Sequence, residues 1–239
     1  MNELALFAGA GGGILASKLL GWNTVCGVEV ERYPREVLLQ RQRDGILEPF
    51  PIWDDIRTFD GKSWRGKIDI VTGGFPCKDI SIAGKGRGIT GEHSGLWFEM
   101  LRVIDEVRPR FVFAENSPNL RTRGLGSVIE GLASLGYDLR WCVLGAWHIG
   151  ANHKRNRMWV LAYPNAKRLQ GQRKESGGTE EELQNACNPC WWSVEPNVGR
   201  VAHGVASRVD RIKALGNGQV PAVAKAAWEI LTEGIENES

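Results

Sequence analysis

The chain has 239 residues, 42% of them hydrophobic and 24% charged, with a formal net charge of +2. That length and balance suit one globular domain with a real core and a small attached lobe, and no apolar run reads as a membrane span or a signal peptide. The charge excess is too small to argue for nucleic acid by itself, but basic residues cluster at Lys154, Arg155 and Arg157, at Lys167, Arg168, Arg173 and Lys174, and at Arg200, Arg208, Arg211 and Lys213.

Residues 4–7 form an apolar run that breaks into Ala8-Gly9-Ala10-Gly11-Gly12-Gly13, and a helix is predicted over 14–20. Strand, glycine turn and helix open an α/β unit. A strand over 24–28 ends at Glu29, and a helix follows over 32–42. A short apolar stretch near 50–53 leads into Asp54-Asp55-Ile56, and a buried strand over 68–72 runs into Gly73-Gly74-Phe75-Pro76. Residues 94–107 carry Leu96, Met100, Leu101, Ile104 and Val107 at helical spacing, with Pro109 marking the end. A strand over 111–114 closes on Glu115; a helix over 128–135 and strands over 137–144 and 158–162 complete the body. The alternation predicts an α/β fold, a mixed, mostly parallel sheet with helices on both faces.

From Tyr163-Pro164 to about Cys190 the chain is polar, and the apolar signal resumes at Trp191-Trp192. A last helix is predicted over 220–231, with Pro221 in its first turn, where a missing N–H costs nothing. The expected organisation is an α/β body over 1–162, a short insert and linking segment over 163–215, and a C-terminal segment over 216–239 whose helix returns to the body. The five cysteines, at 26, 77, 142, 187 and 190, are odd in number and suit a reducing, cytoplasmic setting. Cys187 and Cys190 form one C-x-x-C pair without a second pair beside it, so no metal is expected.

Ligands of an open parallel sheet bind beyond the carboxyl ends of its strands. Three segments lie there: the loop Phe7-Ala8-Gly9-Ala10-Gly11-Gly12, Glu29, and Asp55-Ile56. Glycines let the backbone approach a ligand, Glu29 can accept from two ribose hydroxyls, and Asp55 can accept from an adenine amino group with Ile56 against the ring. Together they favour an adenosine-containing cofactor without separating nicotinamide from sulfonium chemistry.

The sharpest segment is Gly73 to Ser81, GGFPCKDIS. Cys77 reads either as a small buried hydrophobe or as a reactive thiol; the flanking glycines, Pro76, Lys78 and Asp79 favour exposure. Glu115-Asn116-Ser117-Pro118 ends another strand and can face the same cleft. Arg155 and Arg157, at i and i+2 before the strand over 158–162, share one face if that stretch is extended.

In this order the segments resemble the DNA cytosine-5 methyltransferase family. FAGAGGG is similar to its first cofactor motif, Glu29 to its ribose ligand, Asp55-Ile56 to its adenine-contacting pair and GGFPCKDIS to its Pro-Cys loop. Gly95-Leu96 resembles the start of the next conserved helix, ENSPNL the Glu-Asn-Val motif, HKRNR the Gln-x-Arg-x-Arg motif and GNGQVP the final Gly-Asn motif. Lys78, Ser117 and His153 depart from the usual Gln, Val and Gln. The C-terminal stretch resembles phage and prophage forms, and residues 164–190 make an unusually short target-recognition region, so sequence preference is expected to be short or lax.

The resemblance implies methyl transfer from S-adenosyl-L-methionine, leaving S-adenosyl-L-homocysteine, to carbon 5 of a cytosine flipped out of double-stranded DNA. Cys77 would add to carbon 6 as a thiolate. Glu115 would hold or protonate N3, Asn116 would help position that loop, Arg157 would contact the base carbonyl, and Arg155 would orient Glu115 or a phosphate. Phe7, Ala8, Gly9, Gly11, Gly12, Glu29, Val30, Asp55, Ile56, Gly74, Pro76, Leu96 and Asn217 are the expected cofactor wall. Ser81, Lys85 and Arg87, in a glycine-rich loop that reads as a lid, and Lys167, Arg168, Arg208 and Arg211 are the expected nucleic-acid contacts. A monomer is expected, with a restriction endonuclease as a candidate partner. The alternatives are a transfer-RNA cytosine-5 methyltransferase and a catalytically weak or non-catalytic DNA-binding decoy; a nicotinamide oxidoreductase would leave the Pro-Cys and Glu-Asn segments unused.

Overall fold

A computed structural model describes residues 1–76, 95–164 and 208–235. Seven strands form one sheet in the order β3-β2-β1-β4-β5-β7-β6. They are β1 Asn2–Leu6, β2 Asn23–Val28, β3 Ile52–Trp53, β4 Ile70–Gly73, β5 Phe111–Asn116, β6 Tyr137–Leu144 and β7 Arg157–Pro164. β1 pairs in parallel with both β2 and β4, as do β2 with β3 and β4 with β5. Only β7 runs antiparallel, to β5 and β6. The expected mixed, mostly parallel sheet is therefore present. Its order reverses between β1 and β4, which opens a crevice at their carboxyl ends.

The strands are apolar on both faces because helices cover both. Leu4, Leu6, Val71 and Val112 face one core, shared with α3 (Leu96–Val107), the single turn α4 (Leu120–Arg123) and α5 (Leu125–Ser134). The opposite face packs on α1 (Gly12–Leu19), α2 (Arg32–Arg43) and the C-terminal α7 (Pro221–Thr232). Trp228 of α7 sits edge-on to Trp22, Phe111 and Phe113, at ring-centroid distances of 4.7, 5.4 and 5.5 Å. This aromatic cluster makes α7 part of the body's core.

Several boundaries differ from the expected ones, each for a local reason. α1 begins at Gly12, two residues early, because its first turn lies under the main chain of Gln219 and leaves no room for a Cβ on Gly12. β5 runs on through Glu115 and Asn116 because β7 pairs with both. β7 itself begins at Arg157 and ends at Pro164. A helix α6, Arg208–Asn217, stands where none was expected. Most of the insert over 163–215, with its C-x-x-C pair, lies outside the described residues.

Glu3 on β1 is fully buried. Its carboxyl accepts from Ser17 Oγ at 2.7 Å, Thr72 Oγ1 at 2.6 Å and Thr24 Oγ1 at 2.5 Å. Burial raises its pKa, against the three hydroxyls that lower it. The group ties α1, β2 and β4 to β1 at the amino end of the strands. Among the described residues no helix is long and apolar enough to cross a membrane.

Candidate active site

The crevice has two walls, and the first is built by β1, β2 and β3. Glu29 follows β2 and is only 7% exposed. Its Oε2 accepts from the Gly9 N–H at 2.7 Å and its Oε1 from the Glu31 N–H at 2.8 Å. Burial raises its pKa, and these two N–H groups oppose the rise. The turn after β1 is tight: Phe7 has φ 52°, Gly9 53° and Gly11 87°. Positive φ is ordinary for the glycines and costly for Phe7. Arg41 on α2 donates to the Ala10 carbonyl at 2.6 Å and fixes the loop from outside. Beyond the strand ends Val30 and Trp53 are 55% and 46% exposed, two apolar surfaces beside a buried carboxyl. Trp53 ends β3, with its Nε1 donating to Thr58 Oγ1 at 3.0 Å, and is not among the residues expected in the cofactor wall.

Asp55 and Ile56 are both engaged within the protein. The Asp55 carboxylate is already held by Arg57, through the backbone N–H at 3.0 Å and the guanidinium at 2.9 Å. That contact keeps its pKa low. Ile56 turns its side chain into the core, so only its main chain can front a ring. Leu96 opens α3 half-buried, and Pro76 is exposed.

The second wall is the carboxyl end of β5. Glu115 is 7% exposed, and Arg157 Nε meets its Oε1 at 2.7 Å. Burial pushes the Glu115 carboxyl up to about 7, against Arg157, Arg155 and a side-chain hydrogen bond from Gln219, which lower it. Next to it, Asn116 Nδ2 donates to the Phe75 carbonyl at 2.9 Å, and its Oδ1 accepts from the Ser117 N–H at 2.8 Å. Phe75 packs on Trp97 at 4.9 Å. The amide of Asn116 thus fixes the chain two residues before Cys77. A Cβ on Gly74 would stand 2.8 Å from Glu115 Oε2, so the glycine lets the two loops close together.

Arg155 and Arg157 do not share a task. Arg157 pairs with Glu115, the orienting contact expected of Arg155. Arg155 lies outside the strand at φ 32° and donates to the carbonyls of Gly216 and Gly218. It ties the end of α6 to the site. Asn217, expected in the cofactor wall, is exposed there, as is Arg211 on α6. Lys213 pairs with Glu31 at 2.8 Å. Cys77, Ser81, Lys85, Arg87, Lys167 and Arg168 lie outside the described residues, as does the side chain of Arg208. Gln219, which the motif reading left without a role, joins the glycine loop to Glu115.

Comparison with known proteins agrees with this geometry. The family model for C-5 cytosine-specific DNA methylases matches residues 1–224. The Type II methyltransferase M.CviJI of Paramecium bursaria Chlorella virus IL3A is 34% identical over 163 residues, 67% of this chain and 42% of that protein. The Type II methyltransferase M.AluI of Cellulosimicrobium cellulans is 29% identical over 98% of this chain and 45% of its own length. The chain spans less than half the length of both relatives. The crystal structure of the S. pombe Dnmt2 methyltransferase superposes with a TM-score of 0.54 at 21% identity, over 70% of this chain and 50% of that one.

Proposed function

The chain belongs to the C-5 cytosine-specific DNA methylase family, and from that premise we propose that it methylates carbon 5 of a cytosine flipped out of duplex DNA. The observation that carries the reading is at the end of β5: a buried, cation-paired Glu115 beside an Asn116 that holds the loop leading to Cys77. The residues of the other wall fit S-adenosyl-L-methionine. Glu29 keeps acceptor capacity for a ribose beside Gly9, where a Cβ would meet nothing nearer than the Phe7 carbonyl at 4.0 Å. Val30 and Trp53 leave apolar surface for a ring. When bound, that cofactor supplies an electrophilic methyl group on a sulfonium and leaves as S-adenosyl-L-homocysteine.

The protein's own residues prepare the base. Cytosine carbon 5 is a poor nucleophile until a thiolate adds at carbon 6. Cys77 adds there, its sulfur forming the bond while the ring electrons pass toward N3 and carbon 5. Glu115, with a pKa near neutrality, holds a proton at N3 as that charge develops. Arg157 keeps the carboxyl facing the cleft, and Arg155 holds the segment after α6 against it. After the methyl group is transferred, the carbon-5 proton departs to a base and the ring electrons expel the Cys77 thiolate, restoring the aromatic ring. Residues 163–215 are the proposed recognition segment, short enough for a lax sequence preference. Duplex DNA is the proposed partner of a monomer, with an endonuclease as the counterpart in a restriction-modification setting.

The test is incubation of the protein with tritium-labelled S-adenosyl-L-methionine and mixed-sequence duplex DNA, followed by digestion to nucleosides. Label in 5-methylcytosine that disappears with Cys77→Ala supports the reading. Label in transfer RNA instead of DNA moves the substrate to RNA, and no label in either overturns autonomous methyl transfer.

A further inference from the structure

Gln219 follows the end of α6, and its main chain presses on the first turn of α1, where a Cβ on Gly12 would collide with it. Its carboxamide continues inward. Oε1 lies 2.8 Å from where Gly13 would carry a Cβ, and Nε2 lies 3.4 Å from the same point on Gly74. Glu115 Oε2 is 2.8 Å from that second point. The Gln219 side chain hydrogen-bonds Glu115; an ionised carboxylate only accepts, so the amide donates. Arg157 holds Oε1 from β7. The carboxyl therefore has a charged donor and a neutral donor. Arg155, by binding the carbonyls on either side of Asn217, keeps the Gln219 main chain in place.

We propose that Gln219 is a positioning residue for Glu115: its carboxamide, threaded between Gly13 and Gly74, links the cofactor loop to the carboxyl that meets the base. This rests on the role given to Glu115 above. The charged groups facing that carboxyl are Arg157 and Arg155, and neither is altered by a change at Gln219. A hydrogen bond to the ionised form holds a carboxyl's pKa down. Losing the donor lets it rise, so the protonated form persists to higher pH.

The test compares wild type with Gln219→Met, which keeps length without the donor, and Gln219→Glu, which replaces the donor by a second carboxyl. The Glu115 carboxyl is titrated by carbon-13 NMR, its signal assigned by its loss in Glu115→Gln. We expect an upward shift of about one unit in Q219M and a larger one in Q219E. In the methylation assay kcat falls roughly tenfold or more while the cofactor KM stays within about twofold, and the alkaline limb of the kcat profile moves up with the titration. Thermal melting shows which variants are folded, and either one suffices. An unchanged Glu115 titration in the folded variants overturns the proposal. The titration needs no turnover, so wild-type protein that transfers no methyl group while the shift is present removes the reaction assigned above and still supports the placement of Gln219.

Discussion

Glu3 and Glu115 are both buried carboxyls on strands of one sheet, yet Glu3 stands at the amino end of β1 and Glu115 at the carboxyl end of β5. Glu3 is met by three hydroxyls from α1, β2 and β4. Hydroxyl donors satisfy a carboxyl in either protonation state and tie the surrounding elements together. Glu115 is paired with Arg157, feels the charge of Arg155 and accepts from the Gln219 amide. Burial raises its titration, and the cations and the amide limit the rise to about 7. The comparison teaches that burial alone marks neither group as functional. Place along the strand and the charge of the partners separate a structural tie from the carboxyl proposed to act on the base.

The comparison can be broken at either end, and the largest expected effect is at Glu115. Glu115→Gln should lower the methyl-transfer rate about a thousandfold with an unchanged melting temperature at neutral pH; a full rate would remove Glu115 from the chemistry. Stability carries the next effect. The folded carboxyl, raised from 4.5 to about 7, binds its proton more tightly than the unfolded chain does. Its contribution is complete below 4.5 and is lost as pH rises through 7. The stability of wild type relative to E115Q should therefore fall by about 3 kcal/mol across that window, as read from urea unfolding at several pH values.

Glu3→Ala should cost roughly 2–3 kcal/mol of stability by taking their acceptor from Thr24 and Thr72 and leaving Ser17 only the Gly13 carbonyl at 3.2 Å. The rate per folded molecule should stay the same; a rate loss matching that of E115Q would erase the distinction between the two acids. The smallest effect is expected at Trp53. Trp53→Ala should weaken S-adenosyl-L-methionine binding about tenfold by calorimetry and move the melting temperature little, because the ring is half exposed.

The sheet was legible because buried strands of this kind are runs such as Leu4–Leu6 and Phe111–Ala114, and because glycines and carboxylates punctuate their carboxyl ends. Glu29 and Glu115 were found that way. Glu3 was not, since an acid at the start of a strand looks like solvent-facing sequence until Ser17, Thr24 and Thr72 are brought to it by the fold. The condition for the two arginines to share a face, an extended stretch, is not met. Two-residue alternation holds only within a strand, and Arg155, at φ 32°, precedes one that starts at Arg157. α6 was missed because Val209, Ile212 and Leu215 are exposed and form no buried stripe. Gln219 carries no charge and no nucleophile; only the close approach of Gly12, Gly13 and Gly74 reveals where it points.

The central claim is that Cys77 adds to the base while Glu115 holds the proton at N3. Duplex DNA containing 5-fluorocytosine tests it most directly, because fluorine cannot leave as the carbon-5 proton does and the adduct cannot collapse. Mixed with the protein and S-adenosyl-L-methionine, it should give a denaturation-stable protein–DNA complex linked at Cys77 by peptide mass spectrometry, and E115Q should form it far more slowly. A preparation that methylates ordinary DNA but forms no such complex, or forms it at another residue, would contradict the account.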